Sequence, residues 1–190
     1  MKEMMDVLIR DFSKQLRTAI SIGEKAVINP VKKEIRNILI TGLGGSGIGG
    51  NLCNQFCEGE LNVPIQVNKD YFIPNFVSEH TLVIISSYSG NTEETLQAFK
   101  EAEQKKAHIV CISSGGRVIE IAKEKNYDHV IIPGGDPPRT CLGYSLTQQL
   151  YILNKLGLIS NEPINQLKKI PDFLDEHENN IQSLARDVAE

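Results

Sequence analysis

Hydroxyl side chains are concentrated in the stretch 86–92, which follows an apolar run and precedes a predicted helix. Ser87, Ser89 and Thr92 can each donate a hydrogen bond, and Gly90 permits a tight turn among them. The amide N–H groups at the start of the helix add further donors and a partial positive charge. Together these groups favour binding of a phosphate dianion without a lysine. The alternative, a plain helix N-cap at Thr92 or the residue before it, does not require three further hydroxyls.

A second candidate is the glycine-rich stretch 42–50, which lies between an apolar run and a helical pattern. Its glycines let a ligand approach the backbone closely, and the helix that follows presents free N–H groups. The spacing of Gly42, Gly44 and Gly47 formally matches the dinucleotide fingerprint, which would make the chain a nicotinamide-dependent oxidoreductase. That function needs an acidic residue at the end of the second strand, and Asp70 is poorly placed for it. A tight strand-to-helix turn without a ligand is the other alternative.

Arg139 is the third candidate. Pro137 and Pro138 stiffen the loop in which it lies, and Gly134 and Gly135 allow this loop to reach the sheet edge. A guanidinium is permanently charged and suits the stabilisation of a negatively charged oxygen. The alternative is a solvent-exposed arginine without a role in chemistry.

Five short apolar runs predict the strands that position these candidates. The runs are continuous rather than alternating, which is typical of a parallel sheet covered by helices on both faces. We therefore predict a three-layer α/β/α fold with a five-stranded parallel sheet. Ligands of such sheets bind outside the carboxyl ends of the strands, where the loops after strands one, three and five should converge. The predicted strands are 37–41, 64–67, 82–85, 107–112 and 129–132.

The 190 residues predict one domain with a helix added at each end. Apolar residues at three- and four-residue intervals indicate an N-terminal helix over roughly 4–26, closed by Gly23 and Pro30. The predicted core helices are 93–104, 118–125 and 141–157. The predicted segments are 1–30 (N-terminal helix), 36–157 (α/β core) and 160–190 (C-terminal helical segment).

Composition and charge exclude several classes of protein. Twenty basic and 24 acidic residues give a net charge of −4, which leaves no strong positive field for nucleic acid or an anionic membrane surface. No apolar run reaches the length of a membrane span, and the first residues lack the order of a secretion signal. The four cysteines include no C-x-x-C pair, so we expect reduced, buried thiols and a cytoplasmic location. The four histidines are scattered, so no metal site is expected.

Three separated motifs carry a family resemblance: Ile40–Gly49 (ITGLGGSGIG), Ser86–Thr95 (SSYSGNTEET) and Pro138–Tyr144 (PRTCLGY). In this order they resemble the sugar isomerase (SIS) domain family, and specifically its branch of bifunctional phosphoglucose/phosphomannose isomerases. The resemblance covers nearly all of the chain. It implies a flavodoxin-like sheet and an enzyme of glycolysis and gluconeogenesis. The implied reaction interconverts glucose 6-phosphate or mannose 6-phosphate with fructose 6-phosphate through an enediolate, without a metal or nucleotide cofactor.

The resemblance also implies roles for individual residues. The turn at Gly45 would shape the sugar pocket, and Arg139 would stabilise the enediolate. The implied phosphate-binding residues are Ser46, Ser87, Ser89 and Thr92.

One feature of the branch has no counterpart in residues 1–190, namely the second of its two SIS domains. The family's proton-transfer glutamate, ring-opening histidine and lysine come from that second half or from a partner subunit, so we assign no general base. We expect a second SIS domain or a partner subunit, in a homodimer, to complete the site. The helix face with Leu174, Ile181 and Leu184 should then self-associate if its neighbour is missing. Two alternatives stay open: a non-catalytic phosphosugar-binding module, and a single-domain isomerase of another phosphosugar.

Overall fold

Five parallel strands form one sheet at the centre of the protein, as predicted. The computed structural model describes residues 2–189, with side chains from residue 5 onward. The strands are β1 (Asn37–Thr41), β2 (Ile65–Asn68), β3 (Thr81–Ser86), β4 (His108–Ser113) and β5 (Asp128–Ile131). Their order across the sheet is β2-β1-β3-β4-β5, the flavodoxin-like order. Because the strands are parallel, their carboxyl ends lie at one edge of the sheet.

Helices cover both faces of this sheet and complete the predicted three layers. The part of the chain that the structure describes forms α1 (Lys2–Arg10), α2 (Phe12–Lys25), α3 (Gly44–Phe56), α4 (Glu93–Gln104), α5 (Gly116–Glu124), α6 (Leu142–Lys155) and α7 (Glu162–Ala189), and a short 3₁₀ helix, Pro138–Thr140. One face packs against α2, α3, α6 and the first turns of α7. The other face packs against α4 and α5. None of these helices is long and apolar enough to cross a bilayer.

Alternate strand residues enter the two halves of the core. Ile38 and Ile40 of β1 face the α3 and α6 side, whereas Leu39 between them faces the α4 and α5 side. In β3, Ile84 and Ile85 divide in the same way, and all five side chains are fully buried. Burial on both faces explains why the strands are continuous apolar runs.

The N-terminal region differs from the predicted single helix. Two helices form there, because Asp11 has a ψ of 11° that departs from the helical value. Gly23 does not end α2, which continues to Lys25. A Cβ atom at Gly23 would lie only 2.3 Å from the ring of Tyr151, so the glycine lets α2 approach α6 closely. The signal interpreted as a helix end is therefore a packing contact.

Candidate functional site

The loop after β1 and the loop after β3 meet at the carboxyl edge of the sheet. β1 and β3 are neighbours in the sheet although β2 separates them in the sequence: β2 is added on one side of β1, and β3 to β5 are added on the other side. Ligands of α/β proteins bind at this kind of switch point. Gly42 marks the contact, because a Cβ atom there would lie 2.5 Å from the carbonyl oxygen of Ser86. The structure thus brings together the first two predicted candidates.

The loop after β3 folds into a turn in which the hydroxyl groups form hydrogen bonds within the turn. Ser87 is buried, and its Oγ lies 3.1 Å from Oγ1 of Thr92. The same Oγ accepts a hydrogen bond from the Gly90 N–H at 3.2 Å. Ser89 is exposed, and its Oγ accepts from the Asn91 N–H at 3.3 Å. Ser87 and Thr92 therefore face each other, with Ser89 on the open side of the turn.

Helix α4 begins at Glu93, directly behind this turn, as predicted. Thr92 precedes the helix, but its side chain makes no capping hydrogen bond. The helical hydrogen bonds begin with Leu96, whose N–H donates to the Thr92 carbonyl oxygen at 3.0 Å. The N–H groups of the turn before it have no helical carbonyl to bind, as at any helix start. Amide donors and the positive end of the helix dipole thus lie beside the hydroxyl groups.

The loop after β4, residues 114–115, together with the flanking Ser113 and Gly116, supports the hydroxyl turn and is a feature that the sequence analysis missed. Ser114 donates to the Tyr88 carbonyl oxygen from its N–H at 3.0 Å and from its Oγ at 2.6 Å. A Cβ atom at Gly90, whose φ is +71°, would lie 1.9 Å from the Gly115 carbonyl oxygen. Gly90 therefore permits both the turn and the close approach of the two loops. A serine pair and a glycine pair after the fourth strand are the signal that could have found this loop.

The glycine-rich stretch forms the first turn of α3, which begins at Gly44. Ser46 lies in this turn, is 8% exposed, and contacts the position of Gly42 where the two loops meet. Gly45 faces a different neighbour: its Cβ atom would lie 3.1 Å from the carbonyl oxygen of Pro138 and 3.8 Å from Cα of Arg139. Any side chain at residue 45 would press on the segment that carries the arginine.

The segment after β5 crosses the sheet edge back toward β1 and thereby places Arg139 beside Gly45. Along this path Gly134 passes the side chain of Ser114: a Cβ atom at Gly134 would lie 3.1 Å from the Cβ of Ser114. The Asp136 N–H then donates to the Tyr88 hydroxyl at 3.2 Å. The path ends in the 3₁₀ helix, where the exposed Arg139 lies. The structure therefore brings Gly45, Ser46, Ser87, Ser89, Thr92 and Arg139 to one edge of the sheet.

A large apolar groove adjoins the arginine. It has a volume of about 790 Å³ and lies between α1, the 3₁₀ helix and α7. Leu8, Phe12, Leu174 and Ile181 line it together with Arg139. From residue 175 to residue 189 helix α7 is exposed on all sides, including Leu184.

Among the described residues no group of three histidines, cysteines or acidic side chains is arranged to hold a metal ion.

Curated relatives with similar sequences include isomerases by name. The chain is 44% identical over 157 residues to a bifunctional phosphoglucose/phosphomannose isomerase from Caldicellulosiruptor bescii, covering 83% of this chain and 46% of that protein. It is 37% identical over 155 residues to the protein of the same name from Aquifex aeolicus, covering 81% and 46%. The chain thus spans about half the length of the curated relatives it matches. No protein-family model matches the chain.

Solved structures with the same fold include proteins that act on or bind phosphorylated sugars by name. A candidate phosphosugar isomerase from Clostridium difficile 630 superposes with a TM-score of 0.71 and 22% identity, over 92% of this chain and 53% of that one. The Vibrio vulnificus NanR protein, solved with ManNAc-6P, superposes with a TM-score of 0.57 and 16% identity, over 91% and 70%. These likenesses establish the fold, and the sequence identities establish the relationship. Over about half of their length, the chain is a homologue of the bifunctional phosphoglucose/phosphomannose isomerases, and it has the fold of phosphosugar isomerase (SIS) proteins.

Proposed function

We propose that this chain is the phosphosugar-binding part of an aldose–ketose isomerase. The reaction would interconvert glucose 6-phosphate or mannose 6-phosphate with fructose 6-phosphate. The observation that carries the proposal is the closed hydroxyl turn of Ser87 and Thr92 at the start of α4, next to the contact of Gly45 with Arg139. The names of the curated relatives favour this reaction over others that begin with a bound sugar phosphate.

The phosphate group would lie over the start of α4. The proposed ligands are hydroxyl and amide groups, which stay neutral as the phosphate changes its charge. Glu93 does not turn its carboxylate into the loop, because its Oε2 accepts a hydrogen bond from the Tyr71 hydroxyl at 3.3 Å. The proposed phosphate-binding hydroxyls are those of Ser46, Ser87, Ser89 and Thr92.

Arg139 would act at the other end of the substrate, beside C1 and C2 of the opened sugar. A base removes the proton from C2 of the aldose, and the electron pair forms the C1=C2 bond of an enediolate. The negative charge then resides on the oxygens, and the guanidinium stabilises it. Return of the proton to C1, with transfer of the O2 proton to O1, gives the ketose. Gly45 would shape the sugar pocket by letting the segment that carries the arginine lie directly against the start of α3.

We assign no base, and we propose that a second SIS domain or a partner subunit supplies it. The groove between α1 and α7 is the face where such a neighbour would dock, since Arg139 is one of the residues that line it. Ile181 and Leu184 of α7 are 42% and 56% exposed, which is typical of an unpartnered face. A homodimer is the proposed assembly.

Residues 1–190 would then form one SIS domain, which needs no metal or nucleotide for the proposed reaction. A cytoplasmic location is part of the proposal, because Cys53, Cys57, Cys111 and Cys141 are all buried free thiols.

Hydrogen exchange at the substrate tests the function directly. The full-length protein is incubated in deuterium oxide with glucose 6-phosphate or mannose 6-phosphate, and deuterium at C2 is measured together with calorimetry of fructose 6-phosphate. We expect binding and exchange, and we expect Ser87→Ala, but not Ser183→Ala on the exposed part of α7, to weaken binding and to slow exchange at substrate concentrations below saturation. Binding without exchange would instead favour the non-catalytic module. Such a role would fit the fold that the chain shares with NanR. Absence of binding would contradict both.

A further inference from the structure

We propose that Tyr88 is a positioning residue that couples the phosphate-binding turn to Arg139. This inference rests on the proposed function for its catalytic consequence, but its structural part can be measured without a substrate. Tyr88 lies between Ser87 and Ser89, and its hydroxyl contacts the segment that carries the arginine.

The backbone of Tyr88 is fixed to the loop after β4. Its carbonyl oxygen accepts hydrogen bonds from Ser114, at 3.0 Å from the N–H and 2.6 Å from Oγ, and from Ser113 Oγ at 3.4 Å. The flanking residue Ser87 donates its N–H to the Ile112 carbonyl oxygen at 3.0 Å. The backbone of Tyr88 is therefore fixed by hydrogen bonds to the end of β4.

The side chain of Tyr88 spans the distance between two loops. Its ring is partly buried and packs against the core on the α6 side of the sheet. Its hydroxyl accepts the hydrogen bond from the Asp136 N–H at 3.2 Å, three residues before Arg139. Pro137 and Pro138 lie between that anchor and the arginine, and their ring-locked φ angles limit how far the segment can pivot. This hydrogen bond therefore joins the segment 133–139 to a side chain of the phosphate-binding turn.

The hydroxyl holds the segment rather than transferring a proton. Burial raises the pKa of Tyr88 to about 12, with a further increase from the Cys141 thiol, whereas the Asp136 N–H opposes the shift. The carboxylate of Asp136 also acts to raise it. At neutral pH the phenol is therefore uncharged and unsuited to serve as a base. What it offers is a fixed acceptor for one backbone N–H.

The consequence is that the position of Arg139 depends on the phosphate-binding turn. A ligand that fixes the conformation of the turn between Ser87 and Thr92 also fixes the position of Tyr88. The Tyr88 hydroxyl then limits where the 3₁₀ helix can lie. Misplacement of a catalytic group by about 1 Å can cost about 100-fold in rate. Loss of the hydroxyl should therefore affect turnover more than binding.

The first test is amide hydrogen exchange on the purified chain without any ligand. Tyr88→Phe keeps the ring and removes only the hydroxyl, so the Asp136 amide should exchange at least about tenfold faster. The matched control is Tyr127→Phe, because the Tyr127 hydroxyl bonds Glu103 away from the candidate site. Unchanged exchange at Asp136 would overturn the proposal, whatever the activity of the protein.

The second test is kinetic and uses the full-length protein. Tyr88→Phe should lower kcat by about 10- to 100-fold while the affinity for fructose 6-phosphate changes by less than about threefold. In an Arg139→Ala background the same substitution should have almost no further effect on kcat, because the group that it positions is gone. An equal loss of kcat in both backgrounds, or a loss of affinity alone, would overturn the coupling. If the Asp136 amide exchanged faster in Tyr88→Phe but the protein showed no isomerisation, the tyrosine contact would be supported and the proposed function would have failed.

Discussion

The loop after β3 and the segment after β5 lie at the same sheet edge but are held in different ways. The first is buried at Ser87 and bonded through its backbone to the loop after β4. The second is exposed from residue 133 to residue 136, and Tyr88 accepts a hydrogen bond from its backbone. The proposed phosphate-binding turn is therefore held by the sheet itself, whereas the position of Arg139 depends on contacts across the sheet edge. Variants of the two regions should therefore separate affinity from turnover.

The largest expected effect comes from the segment after β5. Arg139→Ala should lower kcat of the full-length protein by about 100- to 1,000-fold, the usual cost of removing one group that stabilises an oxyanion. The affinity for fructose 6-phosphate, measured by calorimetry, should change by less than about threefold. Arg117→Ala is the control, since Arg117 is an exposed arginine paired with Glu120. Unchanged turnover would remove Arg139 from the mechanism.

The loop after β3 should give the opposite pattern. Ser87→Ala removes a buried hydroxyl that faces Thr92, so the affinity for fructose 6-phosphate should fall by about 10- to 100-fold. At saturating substrate, kcat should change far less than in Arg139→Ala. Ser183→Ala on the exposed part of α7 is the matched control. If calorimetry gave equal affinities for Ser87→Ala and its control, the turn would not be the phosphate site.

A smaller effect is expected where the two regions touch through α3. In Gly45→Ala the added Cβ would lie 3.1 Å from the Pro138 carbonyl oxygen, which is tight enough to displace the arginine segment by a few tenths of an ångström. We expect kcat to fall by severalfold with little change in affinity or in the temperature of unfolding. Equal losses of affinity and turnover would show that residue 45 contacts the phosphate end as well.

The smallest effect concerns a histidine away from both regions, at the amino end of β4. Burial lowers the pKa of His108, against the opposing charge of Asp128, and its buried Nε2 has no hydrogen-bond partner. The unfolded chain therefore binds more protons than the native one below about pH 6.5. Stability should be fully present above that pH and should decrease as the pH falls.

Urea unfolding at pH 5 and pH 8 checks this expectation. His108→Gln should show a smaller loss of unfolding free energy at the lower pH than the parent chain, with ligand affinity at pH 8 unchanged. His177→Gln, on the exposed part of α7, serves as the control. Identical pH dependence in the parent and in His108→Gln would contradict the assignment.

Local signals in the sequence predicted the elements that carry the site. The strand 37–41 and the helix 93–104 have the predicted bounds, because an apolar run and a polar helix start are encoded in neighbouring residues. The predicted loops do meet at one edge, since the strands are parallel. Prediction failed where a residue's role depends on distant partners, as for Gly23, which packs against Tyr151 rather than ending a helix.

The sequence also does not predict the path that the segment after β5 follows. Convergence of the loops was expected, but not the crossing over the ends of β4 and β3 that brings Pro138 to Gly45. That path depends on contacts at Ser114 and Tyr88, residues about 20 to 50 positions away in the sequence. Helix α7 covers Glu162–Ala189 and extends through Pro171, which is buried in it.

A crystal structure of the chain with fructose 6-phosphate tests the central claim most directly. We predict that the phosphate lies at the start of α4, within hydrogen-bond distance of the hydroxyls of Ser87, Ser89 and Thr92, with the C1–C2 end of the sugar toward Arg139. Phosphate bound elsewhere, with the turn empty at saturating ligand, would contradict the account.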